Sequence, residues 1–192
     1  FYSTQMDYGK TTTARQFSEK GEWRRYYFAV PVESTDAESV WDLLGRDLGA
    51  QGLRAATTLR RMGFPQSSLQ AASAIDILSA GSPSILVIDD YHNCTDTALD
   101  TFLEMLARQG NGNFRILLLS RIMPDMNLDE MQFAGIASVY DQNLLTFSRD
   151  EAKEYFYLNG VSEETVAENA WKYSEGWAIA LWLCLCDNGR GD

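Results

Sequence analysis

Asp89 and Asp90 stand side by side directly after Ile85-Leu86-Val87-Ile88. Four consecutive apolar, mostly β-branched residues read as a short strand buried on both faces, as in a parallel sheet. Carboxylates at the end of such a strand need a cation or donor groups close by, and ligands of open α/β sheets bind at that edge. A Mg²⁺ carrying phosphates would engage one carboxylate and leave the second facing a water. A plainer reading is a strand that runs into a solvated acidic turn. The matching half lies near the start, in Tyr8-Gly9-Lys10-Thr11-Thr12. The phosphate-cradling pattern G-x-x-x-x-G-K-[ST] uses backbone N–H groups around phosphate, a lysine on the β/γ oxygens and a hydroxyl on Mg²⁺. Gly9, Lys10 and Thr11 fit its second half, while Thr4 stands at the first glycine and Asp7 brings a negative charge beside the anion nest. A third element is Arg121, which follows the apolar run Ile116-Leu117-Leu118-Leu119 and Ser120. A cation at the carboxyl edge of a strand beside the acidic one would sit near a γ-phosphate. The competing reading is a surface arginine that caps a turn.

The elements that must position these residues follow from periodicity and breakers. A helix over 12–20, closed by Gly21, places a helix N-terminus just after the glycine-lysine pair, the right context for an anion. Residues 24–30 are rich in strand formers and stop at Pro31. Thr35 with Glu38 reads as a capping box that opens a helix with Val40, Trp41, Leu44 and Leu48 on one side. Further helices are expected over 53–62, over 68–80 and from 93–95 onward, the last with Leu99, Phe102, Leu103 and Leu106 inward. Phe114 to Leu119 reads as a second buried strand, and 136–140 as a further short one. Strands alternating with helices give a three-layer parallel α/β sheet. After about residue 145 no strand is expected. Ser148 and Glu151 form a capping box, Ser162 opens a second helix, and Trp177 to Cys186 reads as a third, very apolar one.

Composition narrows the function classes. The chain has 27 acidic against 16 basic residues and a net charge of −11, which repels a nucleic-acid backbone. No apolar run approaches the roughly 20 residues of a membrane span, and no signal-peptide pattern is visible. Cys94, Cys184 and Cys186 form a sparse, odd set that points to a reducing, cytoplasmic compartment. His92 is the single histidine, so a Cys/His zinc site is disfavoured. The chain begins at Phe1 without an initiator methionine and reads as an excised piece whose first strand is truncated.

Taken in order and spacing, Tyr8-Gly9-Lys10-Thr11-Thr12, the segment Leu86-Val87-Ile88-Asp89-Asp90-Tyr91-His92, Leu118-Leu119-Ser120-Arg121 and Ser174-Glu175-Gly176-Trp177-Ala178 resemble the large ATP-binding LuxR-type transcriptional regulators. These belong to the maltose-regulator branch of the STAND signal-transduction ATPases, with an NB-ARC-like nucleotide-binding domain. The resemblance covers nearly the whole chain. Leu145-Thr146-Phe147-Ser148 with Glu151, Ala152 and Phe156 is similar to that family's entry into its helical lid. The resemblance implies a P-loop NTPase domain over 1–145 and an all-α lid over 146–192. It implies a switch that holds ADP at rest and exchanges to ATP when a small-molecule or protein inducer binds elsewhere. Homo-oligomerisation and transcription activation through a C-terminal helix-turn-helix outside this chain would follow. Carried over by position, Tyr8, Gly9, Lys10, Thr11 and Thr12 hold phosphate, and Thr11 with Asp89 holds Mg²⁺. Asp90 orients the attacking water, Arg121 senses the γ-phosphate, and Gly176 and Trp177 close over the nucleotide. Hydrolysis, if any, is slow.

Two departures bear on that implication. The family loop reads A-G-Y-G-K-T, and Asp7 replaces its inner glycine; Ala178 stands where a proline is common. An aspartate near phosphate repels it, and a non-glycine residue loses easy access to positive φ. A second reading is therefore a degenerate P-loop domain that binds no nucleotide and serves as a protein-interaction scaffold. A third, an unrelated P-loop enzyme acting on small molecules, lacks a second acidic cluster at a strand end. The Asp7→Gly variant separates the first two: a sharp gain in ATP affinity by calorimetry is expected of a damaged family loop, and no change weakens the nucleotide reading.

Overall fold

A computed structural model describes residues 2–3, 10–19, 23–32, 36–79, 82–110 and 112–188. Tyr8 and Gly9 lie outside this set. The described residues fall into two compact units, one formed by the N-terminal strand and residues 11–139, the other by Lys10 and the residues from Tyr140 onward.

The first unit is α/β. Its strands β1 (Tyr2–Ser3), β2 (Arg24–Ala29), β3 (Ser84–Asp89) and β4 (Phe114–Ser120) run parallel in the order β2-β3-β4-β1. Ala29 pairs with Asp89, Ile88 with Leu118, and Tyr2 with Leu119. The connection from β1 to β2 thus crosses the sheet one way, and those from β2 to β3 and β4 step back. Right-handed crossovers then require the helix after β1 to lie on the opposite face from the others. The packing agrees. Ala14 of α1 (Lys10–Glu19) meets Ile85, Val87, Leu117 and Leu119. The alternate residues Leu86, Ile88 and Leu118, with Tyr26 and Phe28, face α2 (Ala37–Ala50), α4 (Ser68–Leu78) and α5 (Thr97–Arg108). All six residues of β3 are buried, as the uninterrupted apolar run requires.

Trp41 of α2 anchors the larger layer. Its ring meets Phe102 edge-on at 5.2 Å and Phe64 at 6.3 Å, and its indole N–H donates to the Leu59 carbonyl of α3 (Ala56–Arg61) at 3.3 Å. An aromatic core of this size contributes through its buried area and adds about 0.5–1.5 kcal/mol per ring pair. At the outer strand, the Gln51 amide grips the backbone of Tyr27, accepting from its N–H at 2.9 Å and donating to its carbonyl at 2.6 Å. A short helix α6 (Leu128–Phe133) follows β4 and was not anticipated from the sequence.

Several caps differ from expectation. The first residue of the Thr35–Glu38 pair lies outside the described residues, and α2 is capped by Asp36, whose carboxylate accepts from the Ser39 N–H at 2.8 Å. Helix α5 begins later than expected, because a single 3₁₀ turn (Tyr91–Asn93) intervenes and Asp96 supplies the cap.

The second unit holds β5 (Tyr140–Asp141), α7 (Gln142–Leu145), α8 (Arg149–Leu158), α9 (Glu164–Ser174) and α10 (Ala178–Asn188). The capping box of Ser148 and Glu151 is present as expected, and its backbone bonds hold the Glu151 carboxyl below its ordinary range. The expected cap at Ser162 is not: α9 starts after Glu163, without a side-chain bond. Phe156, Ala152, Ala167, Ala170 and Leu181 make the core of the three longer helices. Lys153 reaches Glu164 at 2.8 Å and Glu168 at 3.1 Å, and Arg149 also pairs with Glu168. Exposed pairs of this kind add little individually.

The turn between α9 and α10 is tightly specified. Glu175 and Gly176 are both left-handed, with φ of 50° and 79°. A Cβ on Gly176 would collide with the Phe147 carbonyl oxygen. The Phe147 N–H donates to the Gly176 carbonyl at 2.9 Å, and the Trp171 indole donates to the Phe147 carbonyl at 2.8 Å. Gly176→Ala is expected to destabilise this unit by roughly 2–4 kcal/mol, combining overpacking with backbone strain. Gly160→Ala, also at positive φ (87°) but facing open space, is expected to cost about 1 kcal/mol. Thermal unfolding followed by circular dichroism separates the two, and equal losses would remove the packing role of Gly176.

Candidate functional site

The first unit brings two of the sequence-predicted residues into direct contact across 78 positions. Thr11, in the first turn of α1, donates its hydroxyl to Asp89 Oδ2 at 2.8 Å. Asp89 closes β3 and is only 6% exposed. A carboxylate so buried needs several donors, and it has them. The Tyr27 hydroxyl of β2 donates to the same Oδ2 at 2.5 Å, and the Asp90 N–H donates to Oδ1 at 2.8 Å. The register explains the reach: Tyr27 pairs with Val87, two residues before Asp89, so both side chains leave the same face of adjacent strands. That face is the one covered by α1, which carries Thr11.

Asp90 occupies a left-handed conformation with φ 52° and ψ 34°. Aspartate tolerates this geometry better than most residues, at a cost of about 1–2 kcal/mol. The turn lets Asp90 donate its N–H back to Asp89 while its carbonyl accepts from the Asn93 N–H at 2.9 Å. The Asp90 side chain is half-buried. Lys10 is the first residue of α1 and is half-buried, Thr12 follows it exposed, and Arg121 emerges exposed one residue after β4. None of the ion pairs among the described residues uses Arg121. Gly176 and Trp177 belong to the second unit. There Gly176 is buried against Phe147, and the half-buried Trp177 donates its N–H to the Ser174 carbonyl at 2.8 Å.

A second acidic feature lies beside the turn. Tyr91, next after Asp90, is 4% exposed and donates its hydroxyl to Asp100 Oδ1 of α5 at 2.5 Å. Burial, then the neighbouring Asp100, holds the Tyr91 hydroxyl protonated far above its ordinary range. Burial likewise pushes the Asp100 carboxyl up, against the opposing pull of the Tyr91 hydroxyl and the Asp125 N–H.

Tyr27 and Asp100 were not singled out from the sequence. An acid set next to the inward stripe of Leu99, Phe102 and Leu103 was the available signal for Asp100. Tyr27 carried none, since an aromatic in a strand reads first as packing.

The donor set at Thr11 and Asp89 consists of a hydroxyl and a carboxylate, both oxygen ligands. It suits Mg²⁺, which takes one or two protein oxygens and completes its shell with phosphate and water. Among the described residues no group of three or more His, Cys, Asp or Glu side chains is placed to cage a metal by itself. A cation held at Thr11 and Asp89 would have to bring further oxygen ligands of its own. No known protein-family model matches the chain.

Removing the Tyr27 hydroxyl tests the site's internal support. Tyr27→Phe is expected to lower the unfolding free energy by about 1.5–3 kcal/mol, the scale of a hydrogen bond to a charged group. Urea denaturation measures it, and an unchanged midpoint would show that the hydroxyl does not support Asp89.

Proposed function

We propose that the chain is the nucleotide-binding switch region of a signal-responsive transcriptional regulator, binding ATP or ADP with Mg²⁺ and hydrolysing ATP slowly if at all. The observation that carries this reading is the Thr11–Asp89 contact. A glycine-lysine-threonine segment at a helix start and an acid at a strand end lie far apart in sequence. The fold brings them to hydrogen-bonding distance at the carboxyl edge of a parallel sheet, where ligands of such sheets bind.

In this reading the first turn of α1 offers its N–H groups and Lys10 to the phosphates, with Tyr8, Gly9 and Thr12 around them. Thr11 and Asp89 hold the cation, which when bound neutralises phosphate charge. Asp90, turned out of the strand line by its left-handed backbone, orients the attacking water. Arg121 answers to the γ-phosphate, and slow turnover suits a device whose signal is the presence of that phosphate. Gly176 and Trp177 belong to a helical lid in the same reading. The P-loop NTPase class, the lid, a cytoplasmic location, an inducer acting through regions outside this chain, oligomerisation on activation and DNA contact made elsewhere all come with it. The acidic charge of −11 supports the last.

One observation favours a second reading. Asp7 in place of glycine opposes phosphate binding, and with it the unit would serve as a nucleotide-free interaction scaffold.

Calorimetric titration with ATP and with ADP, each with Mg²⁺, is expected to show micromolar or tighter binding that Lys10→Ala abolishes. No binding at millimolar nucleotide would leave the scaffold reading.

A further inference from the structure

The cap of helix α5, Asp96, and two residues of the helix itself, Asp100 and Glu104, follow one another at four-residue spacing, and each accepts a backbone N–H from another segment. Asp96 Oδ2 takes the Ala37 N–H at 3.0 Å. Asp100 Oδ2 takes the Asp125 N–H at 3.2 Å. Glu104 Oε2 takes the Asn127 N–H at 3.2 Å. The last two residues belong to the connection from β4 to α6, which begins at Arg121. Arg108 extends the grip, pairing with Glu104 at 2.8 Å and with Glu130 of α6 at 3.2 Å.

Asp100 differs from its neighbours on the ladder because its two oxygens serve two different loops. Oδ1 accepts from Tyr91, which directly follows the strained Asp90, and Oδ2 accepts from Asp125, four residues after Arg121. The Tyr91 end of the bridge is closely held, Tyr91 being 4% and Asp100 9% exposed, while Asp125 at the other end is an exposed residue held through its backbone N–H. A carboxylate offers two acceptor oxygens, so one side chain accepts from a hydroxyl on one loop and an amide on another. The buried Tyr91–Asp100 bond has few alternatives, and through it the position of Asp100 Oδ2, to which the Asp125 loop is tied, depends on the Tyr91 turn.

We propose that Asp100, through Tyr91, is a positioning residue that sets the acidic turn of Asp90 against the arginine loop of Arg121, so that the two respond together to a γ-phosphate. The proposal rests on the nucleotide reading given above and adds to it the coupling between the two responding groups. Asp100 touches neither nucleotide nor water in this scheme. Its effect passes to the site through Tyr91 on one side and through the backbone at Asp125 on the other.

The test compares Mg²⁺-ATP and Mg²⁺-ADP affinities of the unaltered chain with those of Tyr91→Phe, Asp100→Ala, Asp100→Asn and Arg121→Ala. Loss of the bridge is expected to lower the ratio of ATP to ADP affinity by about fivefold or more in Tyr91→Phe and Asp100→Ala, the lower end of measured coupling between sites. Arg121→Ala is expected to do the same, with ADP affinity held in all three. Asp100→Asn is expected to keep the ratio, because its amide donates to the Tyr91 oxygen while its carbonyl still accepts from Asp125. Amide hydrogen exchange gives a readout independent of nucleotide: exchange at residues 122–127 is expected to quicken in Tyr91→Phe, although that substitution lies on a different loop. A fall in both affinities together, or an unchanged ratio with unchanged exchange, overturns the proposal while leaving the nucleotide reading intact. Failure of the unaltered chain to bind either nucleotide overturns both, and is told apart by that binding step alone.

Discussion

A carboxylate at the end of a strand buried on both faces is the constraint from which the rest of the first unit follows. Asp89 has little solvent to answer it, so three protein donors must converge on it. Each donor dictates a piece of architecture. The Thr11 hydroxyl requires the helix after β1 to begin over the end of β3. The Tyr27 hydroxyl requires β2 to lie beside β3 in a register that sends both side chains to one face. The Asp90 N–H requires the chain to turn sharply, which the left-handed backbone achieves. Sheet order, crossover direction and turn conformation are thereby tied to a single group.

The acidic composition has a second meaning once contacts are known. On α5 the acids are not a solvated face. Asp96, Asp100 and Glu104 act as acceptors for backbone N–H groups that no strand or helix satisfies. The loops leaving β2 and β4 are thus organised by side chains from one helix rather than by regular structure of their own. The same principle appears on a smaller scale at Asp36, Asp141 and Ser148, each of which satisfies the first amides of a helix.

Much of this was legible from periodicity. The strands Phe114–Ser120 and Ser84–Asp89 and the inward stripe of α5 could be read because burial imposes a repeat on the sequence. The Gly176 turn could be read as a breaker, though its close approach to Phe147 could not. What the sequence hid was chosen by contacts distant along the chain. Asp36 caps α2, and Asp96 caps α5 while also holding Ala37, a partner 59 positions away. Helix α6 escaped notice because it is a single short amphipathic turn with only Met131 fully buried. At the site, Thr11 and Asp89 were recognisable by type and position. Tyr27 was not, since its role depends on register across two strands and no local pattern marks it.

The grip of Gln51 on Tyr27 has a consequence for how the chain behaves in company. Strand β2 ends the row formed with β3, β4 and β1, and an unpaired strand flank is a template for aggregation. At the middle of that flank a glutamine amide already occupies the donor and acceptor of Tyr27, much as one residue of an incoming strand would. Asp47 holds the same amide from behind at 2.9 Å, and Arg24 and Arg25 stand exposed at the strand's start. A second copy approaching this flank would have to displace a preformed fork and crowd like charges. The outer strand is thereby kept from recruiting another chain, and the parallel sheet can stay short on this side without becoming adhesive.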